Sequence, residues 1–211
     1  MAFTNVRNII LDFGGVIIDI DYKRTEQAFI DLGMFDFPER YSQLQQTTLF
    51  DDFETGKISS DTFISTLKTW LPDTVQPQQI IAAWNAMLLD IPLRRLQILQ
   101  QLQLHFNTFL LSNTNAIHEE AFNKILKTQC GFKGMGVFFD KVYYSHHVGM
   151  RKPNADIFEF LLQENDLKPA QTLFIDDSPQ HIATAEQLGL QTIWLTGGMT
   201  IEKDIFKPKA V

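Results

Sequence analysis

Five short apolar runs, each stopped by small or polar residues, constrain this chain more than any other feature. They are IILDFGG, TFLLSNTN, KVYYSHH, TLFIDD and QTIWLTGG. Each is rich in β-branched or aromatic residues and too short for a helix, so each reads as a strand. Between them, helical patterns run over Pro92–Leu104, Ala116–Lys127, Asn154–Glu164 and Pro179–Leu188. Strands alternating with helices of this length predict an α/β fold, a parallel sheet covered on both faces. Local chemistry agrees: Ser178-Pro179 reads as a helix cap followed by proline at the first helical position, and Gly189 as a helix stop.

The alternation is interrupted once. From about Asp21 to Asp90 no strand is evident, and TEQAFIDL, PERYSQLQQTTLFDDF, SSDTFISTLKTW and PQQIIAAWNAML read as amphipathic helices. Pro38, Gly56, Pro72 and Pro77 punctuate them. The expected organisation is a core domain over residues 1–18 and 92–211, with a small helical domain inserted over 19–91. Phe50, Phe53, Trp70 and Trp84 are expected in the core of that insertion, with one or two such aromatics facing the site.

The net charge of −7 argues against nucleic acid or an anionic membrane as partner. Cys130 is the only cysteine, which excludes an intramolecular disulfide and a cysteine-rich metal site and fits a reducing compartment. No apolar run approaches the roughly 20 residues that span a bilayer, and MAFTNVRNII has no secretory pattern. The expectation is a cytoplasmic monomer or homodimer acting on small molecules.

In parallel α/β sheets ligands bind beyond the carboxyl ends of the strands. The residues there are Asp12, Ser112-Asn113-Thr114, the segment Ser145–Lys152, and Asp176-Asp177. If the strands bearing Asp12 and the aspartate pair are neighbours, three carboxylates converge, which shifts their pKa values or demands a cation. Oxygen-only ligands suit Mg2+. With the Ser112 hydroxyl and the Lys152 ammonium, the set suits phosphoryl transfer to a nucleophilic carboxylate. Taken singly, each residue also has an ordinary role: turn former, helix cap or solvated lysine. His146 and His147 on an extended chain point to opposite faces, which suits structural roles better than joint chelation. His181 reads as a hydrogen-bonding or surface residue, and Arg24, Arg94 and Arg95 as surface residues or salt-bridge partners.

The order Asp12-x-Gly-Gly-Val, LLSNTN, GMRKP and FIDDS resembles the four motifs of the haloacid dehalogenase superfamily, from about Asn8 to Leu195. The inserted helices resemble that superfamily's cap, and the core its Rossmann-like sheet. More narrowly, GVIIDIDYKR, LLSNTN and VGMRKPNADIF resemble a bacterial subfamily that includes α-D-glucose-1-phosphate phosphatase. The resemblance implies that Asp12 is nucleophile and metal ligand and that Gly14 gives its carbonyl to Mg2+. Ser112 and Asn113 would bind the phosphoryl group, Lys152 would steady nucleophile and phosphate, and Asp176 and Asp177 would hold the metal. Most phosphatases of the superfamily carry an acid–base aspartate where this chain has Gly14. Such a group contributes about 10²–10⁴-fold, so a readily released leaving group, a water, or Asp21, Asp19, His146 or His147 would have to compensate, Asp21 first. The expected function is Mg2+-dependent hydrolysis of a small phosphorylated metabolite, a sugar phosphate such as glucose 1-phosphate. The rivals are a metal-independent 2-haloacid dehalogenase, which the paired aspartates oppose, and a non-catalytic regulatory protein.

Overall fold

The apolar runs do form strands: β1 (Asn8–Leu11), β2 (Asn107–Ser112), β3 (Lys141–Tyr144), β4 (Thr172–Asp176) and β5 (Gln191–Trp194). The computed structural model describes residues 5–41 and 48–207. All five strands are parallel, in the order β3-β2-β1-β4-β5. The central strands β1 and β4 are buried along their whole length, the pattern of strands covered on both faces.

Side-chain alternation divides the core in two. Ile9, Leu11, Leu110, Leu173 and Ile175 face one side. They pack with residues such as Leu96 and Leu99 of α6 (Leu93–Gln103) and Phe122 of α7 (Ala116–Cys130). Ile10, Phe109, Leu111 and Phe174 face the other side. There they meet Ile157, Phe158 and Leu161 of α9 (Ala155–Glu164) and Ile182 and Ala185 of α10 (Pro179–Gln187). α7 continues past Lys127 to Cys130 and stops at Gly131, whose φ of 79° is left-handed.

The chain leaves β1 toward β2 and β3, then returns to the other side through β4 and β5. The carboxyl ends of β1 and β4 therefore flank the point where the winding reverses, where a crevice opens in such sheets.

Between β1 and α6 lie α1 (Tyr22–Asp31), α2 (Phe37–Arg40), α3 (Thr48–Glu54), α4 (Ser60–Lys68) and α5 (Pro77–Asn85). They surround their own apolar cluster, which includes Phe29, Phe37, Phe50, Phe53, Phe63 and Trp84. The rings of Phe29 and Phe37 stack at 4.3 Å, and those of Phe53 and Phe63 at 4.1 Å. The connectors in and out pair antiparallel: Asp19 N–H donates to Asp90 O, Leu89 N–H to Asp19 O and Asp21 N–H to Met87 O, each at 3.0 Å.

Three local expectations need correction. The helix expected throughout PERYSQLQQTTLFDDF stops at Arg40, where Tyr41 is extended (φ −143°, ψ 126°). It resumes as α3 beyond residues 42–47, which lie outside the described residues. Trp70 is only half-buried and carries the Arg40 guanidinium 4.4 Å above its ring. The chain after β3 is a helical turn, α8 (Ser145–Val148), rather than extended. No helix among the described residues is long and apolar enough to cross a membrane.

Candidate active site

Asp12 follows β1 directly, its N–H donating to Ile175 O of β4 at 2.9 Å. Its neighbour in the crevice is Asp176, the last residue of β4. Between them stands Lys152, 0% exposed. Its Nζ donates to Asp12 Oδ1 at 2.6 Å and Asp176 Oδ2 at 2.7 Å. A charge buried so deeply costs several kcal/mol unless paired; here two carboxylates offset it. Burial alone would lower the Lys152 pKa, but Asp12 and Asp176 outweigh it and raise it.

Asp176 also accepts from Ser178 N–H at 2.7 Å, and His181 Nδ1 lies 3.0 Å from both its oxygens. Burial pushes its carboxyl up, yet Lys152 and His181 prevail and hold it at about 2. At Asp177 burial, reinforced by the charges of Asp12 and Asp176, outweighs Lys152 and raises the carboxyl to about 7.

Asp12, Asp176 and Asp177 each offer an oxygen within 4.8 Å of the others. Three carboxylates face one lysine, so the site carries surplus negative charge. An oxygen-only donor set with that surplus fits a hard divalent cation such as Mg2+. The backbone allows the close approach: a Cβ on Gly15 (φ 71°) would stand 2.4 Å from Asp177 Oδ2. Gly14 lines the same cavity.

Ser112 ends β2 beside this cluster, also lining the cavity. Asn113 straps β2 to the lysine loop: its Nδ2 donates to Lys152 O at 2.8 Å, and Lys152 N–H donates back to its Oδ1 at 2.9 Å. Lys152 is thus fixed at its backbone by one strand end and at its ammonium by two others.

The structure places the four side chains weighed as substitute acid–base groups elsewhere, and none lines the cavity. Asp21 caps α1, accepting from Lys23 N–H at 3.1 Å, with Arg24 3.6 Å away. Asp19 pairs with buried Arg95 at 2.8 Å, and Arg95 also grips Glu202. His146 and His147 do not diverge. Because α8 coils, both Nε2 atoms lie 3.0 Å from Glu119 Oε2. Nor is there vacant space at position 14, where an added Cβ would meet Ile20 Cδ1 at 2.6 Å.

The cavity, about 80 Å³, is completed by Arg151 of the Ser145–Lys152 segment and by residues that strand-end reasoning missed: Tyr22, Tyr41 and Glu54 from the inserted segment, and His118 from the core. Arg151 forms ion pairs with Asp51 and Glu54 of α3, the latter at 3.0 Å. Burial drives the His118 pKa down to about 3. Two signals pointed here: Arg151 adjoins Lys152, and His118 lies in the first turn after the Asn115 cap. Nothing in the sequence singles out Tyr41.

The haloacid dehalogenase-like hydrolase family model matches residues 6–189. The D-ribitol-5-phosphate phosphatase of Bacteroides thetaiotaomicron is 33% identical over 89% of this chain and 90% of its own. A haloacid dehalogenase family enzyme of the same organism, solved with magnesium and inorganic phosphate, is 32% identical, with a TM-score of 0.83 over 92% of this chain and 96% of its own. A 2-haloacid dehalogenase from Pseudomonas syringae, at 16% identity and TM-score 0.57 over 90% of this chain and 86% of its own, shares the fold alone.

Proposed function

Because the chain belongs to the haloacid dehalogenase-like hydrolase family, we propose that it is a Mg2+-dependent phosphatase of small polyhydroxylated phosphate monoesters, sugar or alditol phosphates. The observation that carries this reading is the buried set Asp12–Lys152–Asp176, with Asp177 raised beside it. It offers a nucleophile, a fixed positive charge and a cation site within one crevice. The likeness to a D-ribitol-5-phosphate phosphatase supports an alditol phosphate over glucose 1-phosphate in particular.

Asp12 attacks phosphorus, and the P–O bond to the substrate alkoxide breaks as the aspartyl phosphate forms. Lys152 orients the nucleophile, and Ser112 and Asn113 hold the transferring group. Asp12, Asp176 and Asp177, with the Gly14 carbonyl, would hold magnesium, which would supply the charge neutralisation that lets an anionic carboxylate meet an anionic ester. The leaving alkoxide takes a proton from a single water molecule admitted to the crevice. Water then attacks the acyl phosphate, releasing inorganic phosphate and restoring the Asp12 carboxylate. Residues 19–91 act as a cap that excludes bulk water and larger substrates.

A phosphate-release panel of sugar phosphates, alditol phosphates, nucleotides and phospho-acids, with and without magnesium, tests the proposal. Turnover is expected only with the metal, and Asp12→Asn lowers it by about 10³-fold or more. Undiminished release by that variant, or metal-free chloride release from a 2-halo acid, overturns it.

A further inference from the structure

Among the described residues that line the cavity, one is a buried acceptor without a donor. His118 is 6% exposed and stacks on Trp84 at 4.8 Å, the planes 12° apart. Its Nδ1 lies 2.8 Å from Asn85 Oδ1. That oxygen only accepts, so Nδ1 carries the proton and Nε2 presents a lone pair. Nε2 has no hydrogen-bond partner among the described residues, although His118 lines the cavity. Burial keeps the ring neutral, so Nε2 does not become a donor near neutral pH. A buried acceptor left this way is costly until a donor reaches it.

Glu54 shares the cavity with it: 6% exposed, it projects from α3 and is held by Arg151. An ionised carboxylate accepts only. A substrate tail that meets Nε2 beside this paired carboxylate must donate, as hydroxyl groups do. A carboxylate or second phosphate would set negative charge against Glu54 and lone pairs against Nε2.

We infer that Glu54 and His118 form a hydroxyl-reading subsite that selects polyhydroxylated monophosphates over deoxy analogues and over phosphorylated acids. The inference rests on the phosphatase reading and deepens it by naming what reads the substrate tail. Sites that hydrogen-bond a substrate hydroxyl discriminate strongly against analogues lacking it, because their own polar groups are left unpaired.

The test compares kcat/KM of the magnesium-loaded full chain on four esters: a pentitol 5-phosphate, n-pentyl phosphate, phenyl phosphate and 3-phosphoglycerate. The pentitol ester should exceed n-pentyl phosphate by about 100-fold or more. His118→Phe, which keeps a ring to stack on Trp84 but loses Nε2, should shrink that ratio by about tenfold or more. Glu54→Gln should raise 3-phosphoglycerate relative to the pentitol ester by about tenfold. A wild-type ratio near one, or a ratio unmoved by His118→Phe, overturns the subsite; the wild-type comparison decides alone if the variant does not fold. If none of the four is hydrolysed, the phosphatase reading fails instead. Calorimetric titration with the pentitol phosphate then decides the subsite: binding weakened by His118→Phe upholds it, and absent or unaltered binding overturns it.

Discussion

At position 14 the side chain of Ile20 occupies the space an added side chain would enter. Gly14→Asp must therefore turn the flexible tip of Ile20 aside, at a cost of at most about 1 kcal/mol. Thermal unfolding should show a small loss, which Ile20→Val, lacking the Cδ1 atom, should remove in the double variant. His118 gives a pH signature. Its pKa falls from 6.5 to about 3 on folding, so between those values the unfolded chain binds the extra proton. Its contribution is full above pH 6.5 and is lost as pH falls toward 3. Urea unfolding should show the wild type losing about 2 kcal/mol more than His118→Phe between pH 7 and pH 5. The positions that converge in the crevice, Asp12, Ser112, Lys152, Asp176 and Asp177, were legible because each stands at or just beyond an apolar run or within a recognisable motif. Tyr22, Glu54 and His118 were not singled out, because the helix faces turned toward the crevice are set by packing between distant segments.

At the scale of elements, the inserted helices are seated on the core through a close backbone contact. A Cβ on Gly56, whose φ is 69°, would stand 2.3 Å from His146 O of α8. Backbone cannot yield as a side-chain tip can. Gly56→Ala should therefore shift the α3–α4 turn away from α8 and loosen the Arg151 pairs with Asp51 and Glu54. The expected kinetic result is a KM raised several-fold for polyol phosphates with a smaller change in kcat, together with a lower Tm. Strand and helix positions were readable to within a few residues, since period and caps are local. The break at Tyr41 and the coil of α8 were not. Tyr41 packs against both Phe50 and Trp84, and Ser145 exchanges hydrogen bonds with the Thr114 backbone at 2.9 Å. The Tyr41–Trp84 and Ser145–Thr114 contacts join residues far apart in sequence.

For the whole molecule, the surplus charge at the crevice links metal binding to folding. Magnesium that binds the native state alone adds about 1.4 kcal/mol of stability for each tenfold rise in concentration above its Kd. Tm should climb with magnesium in the wild type, and Asp176→Asn should flatten that climb. The helical stretch between the first two strands was visible in sequence because it cannot belong to an alternating sheet; how its helices face the crevice was not. One contact across that junction has an optical consequence. Trp84 belongs to the inserted helices and is fully buried, yet its indole lies flat against His118 of the core and donates to Asn115 Oδ1 at 3.3 Å. Trp194 is 47% exposed, so the tryptophans sit in unlike surroundings. Lifting the helical unit would wet the Trp84 ring and shift its emission to the red. The chain carries a native fluorophore at the seam between its inserted helices and its sheet core, and the colour of that emission would report a parting of the two.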